Sequence, residues 1–194
     1  MDSAAPADIL AFWFGRTGEP GFGQPRGEWF RKDAGFDDQI RSRFLPGVEA
    51  ALAGQLAAWA DDRQGALALL ILLDQFPRNL FRGEAKAFAG DPQARQLAET
   101  ALDQAWDKGL SAVEKLFVYL PFEHSEALAD QERSVALFSA LAAEHPGCDG
   151  FLDYARRHHE VIARFGRFPH RNAALGRPST PEETSYLAQP GSGF

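Results

Sequence analysis

The chain has 194 residues, one cysteine, and 20 basic against 27 acidic side chains, for a formal charge of −7. Hydrophobic residues at 45% and charged residues at 24% are ordinary for a globular protein, and the length suits one domain, taken as residues 1–194. A lone Cys148 excludes an internal disulfide and a cysteine-based zinc site, and the longest apolar run, Ala66 to Leu73, is far short of the ~20 residues that cross a bilayer.

Asp2 and Asp8 stand where a signal peptide needs positive charge, so a cytoplasmic protein is expected. Pro6 to Phe14 reads as a short helix carrying Leu10, Phe12, Trp13 and Phe14, and residues 16–28, rich in Gly and Pro, read as loop. Phe36 to about Ala60 reads as a helix broken at Pro46-Gly47. Asp62 to Gln75 is apolar almost all round, the mark of a helix surrounded by others. Asp91-Pro92 caps and opens a helix to about Lys108 that stops at Gly109.

Ser111-Ala-Val-Glu114 is a capping box, and its helix is expected to end before Pro121. Ser125 is placed to cap a helix running to about Ala143, with Leu128, Val135, Phe138 and Leu141 as its apolar stripe. The stretch from Cys148 to Gly166 holds another, capped by Asp149 and closed by a left-handed glycine. Thr180-Pro-Glu-Glu183 is a second capping box, opening a last short helix. No run alternates apolar and polar residues, so the class is all-α. The helices pair as hairpins, yet the 34-residue tetratricopeptide signature does not recur.

Three segments set charges beside aromatics and prolines: Leu73-Asp-Gln-Phe-Pro-Arg-Asn-Leu-Phe-Arg-Gly83, Tyr119-Leu-Pro-Phe-Glu-His-Ser-Glu126 and Phe165-Gly-Arg-Phe-Pro-His-Arg-Asn172. The first and third share a near-repeat, Phe76-Pro77-Arg78-Asn79 against Phe168-Pro169-His170-Arg171-Asn172. Phe-Pro is expected to fix an extended turn that aims the following arginine. Arg78, Arg167 and Arg171 would then offer forked donors to a phosphate or carboxylate, with Asn79 and Asn172 adding neutral hydrogen bonds. Glu123, His124 and Glu126 set carboxylate and imidazole within four residues, a pattern suited to proton transfer. Asp74 falls near a helix C-terminus, where an anion wants Arg78 beside it.

Each feature also has a structural reading. The arginines can bridge Asp74, Glu123 or Glu126, and the asparagines can satisfy loop carbonyls. His158 projects onto the stripe of Phe151, Ala155, Ile162 and Phe165, which suits a hydrogen-bonded core histidine as well as a ligand-binding one. Residues 154–178 hold six arginines against Glu160 alone, suggesting internal pairing or a seat for an anion more than nucleic-acid binding. Asp74, Glu123, His124, His158 and His170 lack any spacing that puts two metal ligands on one helical face, so no metal is expected. There is no phosphate-binding glycine loop and no Gly-x-Ser-x-Gly elbow, and no cofactor is specified.

Ile9-Leu-Ala-Phe-Trp-Phe-Gly15, Leu72-Leu-Asp-Gln-Phe-Pro-Arg-Asn79, Leu120-Pro-Phe-Glu-His-Ser-Glu126 and Phe165-Gly-Arg-Phe-Pro-His-Arg-Asn172 resemble an uncharacterised, largely bacterial family, domain of unknown function 924. The resemblance implies an all-α, tetratricopeptide-like arrangement of antiparallel helical hairpins, as a right-handed superhelix or a compact bundle. It also places His158, rather than His159, at the family's histidine position. Leu175-Gly-Arg-Pro-Ser-Thr180 and Glu182-Glu183 match the family's ending, so no truncation is expected. No reaction follows from the resemblance.

The function expected is binding or processing of a small anionic ligand in a polar pocket where the three segments converge. Glu123, His124 and His170 would handle a proton, and Asp74, Arg78, Asn79, His158, Arg167, Arg171 and Asn172 would bind the ligand. The alternative is a helical scaffold holding a peptide or protein partner; neither nucleic acid nor a membrane is expected.

Overall fold

Pro6 supplies the fixed φ of a first helical turn, and Asp8 accepts the Ala5 N–H at 3.1 Å, so helix α1 (Pro6–Phe14) starts where the sequence says. The computed structural model describes residues 4–193, and all regular structure among them is helical. No helix of the described residues is long and apolar enough to cross a membrane. The chain gathers into two compact units, one of residues 4–82 with 86–121 and the other of residues 83–85 with 122–193.

The first unit holds α1, α2 (Ala34–Leu52), α3 (Arg63–Leu70), α4 (Phe76–Leu80), α5 (Asp91–Asp103) and most of α6 (Ala112–Glu123). α1 packs on α3, α2 on α4, and α3 on α5. Trp13 of α1 is fully buried at the centre, stacked on Trp29 at 5.7 Å and edge-on to Phe76 and Phe117 at 5.5 and 5.4 Å. Such aromatic pairs add to the area they remove from water.

Three prolines behave differently from their sequence expectation. α2 runs unbroken through Pro46 and ends at Leu52, because Pro46 and Ser42 face water and solvent can satisfy the Ser42 carbonyl left without a donor. α6 likewise continues past Pro121 to Glu123, where burial of Leu116, Phe117, Leu120 and Phe122 outweighs one lost bond. Phe76-Pro77 is helical, with Phe76 at φ −59° and ψ −36°, and forms no extended turn. It follows a π-helical turn over Ile71–Gln75. Pro77 has no N–H to return to the carbonyl of Leu73, and that oxygen lies where a side chain at Gly90 would meet it at 2.2 Å. A glycine is therefore needed at position 90. α5 is also shorter than expected: it stops at Asp103, and Trp106–Gly109 is a separate 3-10 turn after a left-handed Ala105.

The second unit is built on α7 (Leu128–Glu144) and α8 (Asp149–Phe165), which pack along each other, followed by a 3-10 turn at Pro169–Arg171 and α9 (Pro181–Leu187). Gly166, at φ +68°, closes α8 in the left-handed conformation expected of it, returning its N–H to Ile162. Thr180 and Glu183 make the expected reciprocal cap of α9. α7 starts at Leu128, two residues later than expected, and its inner stripe differs from the apolar one. Gln131, Ser134, Phe138 and Leu141 are buried, whereas Leu128 is exposed. Val161, Ile162 and Phe168 form a small core against which Phe165 and Tyr186 pack.

Candidate functional site

The first polar segment builds a network inside the first unit. The π turn directs Asp74 inward, where it is 1% exposed, accepting from Gln75 and lying 3.1 Å from Arg78. Arg78 also forks onto Asp91 at 2.9 and 3.0 Å. Burial works against its charge, but Asp74 and Asp91 prevail and its pKa is raised. Asn79 donates to Asp37 at 2.7 Å, and Arg82 pairs with the same carboxylate. Asp74, Arg78 and Asn79 thus hold α4 to the elements around it through charge-assisted hydrogen bonds.

The second and third segments meet in the second unit. Glu123 ends α6 with a buried carboxylate, and its Oε1 lies 3.2 Å from His158 Nδ1. The same nitrogen lies 2.9 Å from the Tyr154 carbonyl one turn back on α8. A carbonyl can only accept, so Nδ1 carries the proton and Nε2 the lone pair. Burial pushes the His158 pKa down to about 3; His124, His170 and Arg171 act in the same direction, against the Tyr154 carbonyl. The imidazole is therefore neutral at physiological pH.

Around this pair stand the remaining candidates. The ring of His124 lies 6.3 Å from that of His158. Fully buried Phe168 meets His158 edge-on at 5.5 Å, with His170 5.5 Å away on a tilted ring and the Arg171 guanidinium 4.5 Å from its centroid. The Phe168-Pro169 step is extended, as the sequence suggests, because the chain has already left the helix at Gly166.

Three successive carbonyls at the end of α6 are held by side chains. Gln131 Nε2 donates to Glu123 and Ser125 at 2.6 and 2.7 Å, and Arg171 donates to His124 at 3.0 Å. These bonds satisfy acceptors that a helix end leaves open, and they fix where Glu123 and His124 sit. Gln131 was not among the residues expected from sequence. Its signal was its spacing, three and seven residues before Ser134 and Phe138, which puts it on the inner face of α7.

Arg167 and Asn172 are engaged differently. Arg167 pairs with Glu183 at 2.6 and 2.8 Å and donates to Pro178, while Asn172 bridges Ser179, Glu183 and Arg177. Arg167 and the Thr180 N–H hold the Glu183 pKa down at about 2. Arg177 forks onto Glu126 at 2.7 and 2.9 Å. Burial opposes the charge of Glu126, but Arg177 and the Phe168 N–H hold its pKa below the usual range. These pairs tie the 175–187 segment to the 3-10 turn. They match the structural reading of the basic segment, with Arg177 and Glu183 as partners that the sequence did not identify.

Among the described residues no three His, Cys, Asp or Glu side chains are arranged to hold a metal ion. The Cys148 thiol is pushed up by burial and by Asp149, which disfavours the thiolate.

No curated protein matches the chain. Among solved structures it is similar to that of a protein of unknown function, ATU0120, from Agrobacterium tumefaciens. The two are 41% identical, covering 94% of this chain and 96% of that one, with a TM-score of 0.82. With residues 9–191 matching, the chain belongs to the family described as bacterial protein of unknown function, DUF924.

Proposed function

We propose that the second unit carries an acid–base site for a small anionic ligand. The observation that supports it most is the buried Glu123–His158 pair. A neutral imidazole is held at Nδ1 by a carboxylate and a carbonyl, which leaves Nε2 as the basic nitrogen. Glu123 orients the ring and stabilises its protonated form once a proton has been taken up. His124 and His170 are the nearest imidazoles for passing that proton on. Arg171 supplies the fixed positive charge that draws an anion to the same place. Arg167, Asn172 and Arg177 hold the framework in this reading, and Gln131 positions Glu123.

The test is a thermal-shift titration with inorganic phosphate and with small carboxylates on the wild-type chain, Arg171→Lys and His158→Gln. A ligand selective for the folded state raises the melting temperature by mass action. The expected result is a saturable rise in the wild type, weakened at least about tenfold in Arg171→Lys because a point charge replaces a planar fork. His158→Gln should keep the rise while removing pH dependence from any turnover. Equal shifts in wild type and Arg171→Lys would overturn the reading.

A further inference from the structure

Phe12, Phe14 and Gly15 have no part in the second unit's site, yet they line a cleft of about 690 Å³ in the first unit. That volume lies in the range of small-molecule sites. Its walls are α1, the start of α2 and the glycine-rich loop between them. The loop is closed onto the helix at Gly15, where an added side chain would lie 3.7 Å from the backbone of Phe22.

The charges in this cleft are unequally engaged. Asp8 accepts the Ala5 N–H at 3.1 Å, Glu19 the Arg16 N–H at 3.3 Å, and Asp33 the Phe36 N–H at 3.0 Å as the cap of α2. Glu28 is paired with Arg26 at 3.1 Å, and Arg26 also donates to the carbonyls of Phe12 and Trp13 at the end of α1. All four carboxylates and one of the three arginines therefore serve the fold. The guanidinium groups of Arg16 and Arg43 make no ion pair with any carboxylate among the described residues, and both side chains are exposed. Arg43 is held against aromatic rings, its Cζ 4.8 Å from the centroids of both Phe12 and Phe44, with Phe36 stacked on Phe12 at 5.1 Å. Its planar cation thus rests beside phenyl rings while the side chain stays exposed at the cleft wall.

We propose that this cleft binds a small aromatic carboxylate. The ligand's ring packs with Phe12 and the Arg43 guanidinium, and its carboxylate accepts from Arg43 and is drawn by Arg16. An aliphatic anion would leave the planar surface unused, and a neutral aromatic would leave both cations without a partner.

The probe is 2-naphthoate, titrated at low salt into the full chain and followed by calorimetry, with 2-naphthylmethanol as its neutral counterpart. Saturable binding of naphthoate is expected, at least about tenfold tighter than the alcohol and weakening as salt is added. Arg43→Gln should weaken it at least about tenfold and Arg16→Gln severalfold, while Arg157→Gln, at an exposed arginine of α8 in the second unit, leaves it unchanged. Absence of saturable binding, equal binding of the alcohol, or undiminished binding to Arg43→Gln would each overturn the proposal. Should Arg43→Gln fail to fold, Arg43→Lys carries the test, with a severalfold loss expected and no loss counting against it. The two sites share no residue, so a null result here leaves the acid–base reading standing, and the reverse also holds.

Discussion

Phe76-Pro77-Arg78-Asn79 in the first unit and Phe168-Pro169-His170-Arg171-Asn172 in the second carry nearly the same residues on different backbones. The first lies inside a helix that has already widened into a π turn, so its proline costs a carbonyl partner rather than ending the helix. The second follows a left-handed glycine, so its proline opens a 3-10 turn from extended backbone. Their side chains diverge accordingly. Arg78 and Asn79 join Asp74, Asp91 and Asp37 in a structural lattice, whereas Arg171 lies over Phe168 beside three imidazoles. A short motif acquires its meaning from the conformation of the residue that precedes it.

Substitutions that separate the two settings should differ in size. Asp74→Ala strips a partly buried Arg78 of one of its two carboxylate partners and should cost about 3 kcal/mol of unfolding free energy in urea, the low end for a buried pair. Gly90→Ala forces a side chain onto the Leu73 carbonyl freed by Pro77, at about 1–3 kcal/mol. In the second unit His158 should make stability fall on acidification. Its folded pKa of about 3 lies below the 6.5 of the open chain. Between those values the unfolded state binds a proton that the folded state refuses, a slope of up to about 1.4 kcal/mol per pH unit. That contribution is fully present above the upper value and lost as pH falls toward the lower, and His158→Gln should flatten it in denaturation curves taken from pH 7 to pH 4. Gly166→Ala should cost the least, about 1 kcal/mol, since the strain is one left-handed residue in open space. A Gly90 substitution milder than the Gly166 one would break the comparison.

Three caps and the helical class were readable because they are local, whereas Asp91 and Asp149, expected as caps, lie in the first turns of their helices behind Gly90 and Cys148. Ser111 with Glu114, Thr180 with Glu183, and Gly166 each declare an element end within four residues. The passage of three prolines through helices was not readable, because it depends on solvent at Ser42, packing around Phe117 and the π turn before Phe76. The pairing of Arg167 with Glu183 and of Arg177 with Glu126 joins residues 16 and 51 positions apart, which composition cannot assign. His158 was placed by its helical projection, and burial bears out its position on the inner face. Gln131 is legible by the same projection, although a polar side chain carries no signal of burial by its type.

The π turn at Ile71–Gln75 has one more consequence. A helix rotates by about 100° with each residue, so a turn that accommodates one extra residue shifts the angular phase of everything after it. Deleting a single residue between positions 71 and 75 would return the segment to ordinary winding. It would also swing Arg78 about a quarter of the way around the axis, away from Asp91. The bulge therefore acts as a phase setting, through which one continuous rod of chain buries Leu67 and Leu70 and still aims Arg78 at Asp91.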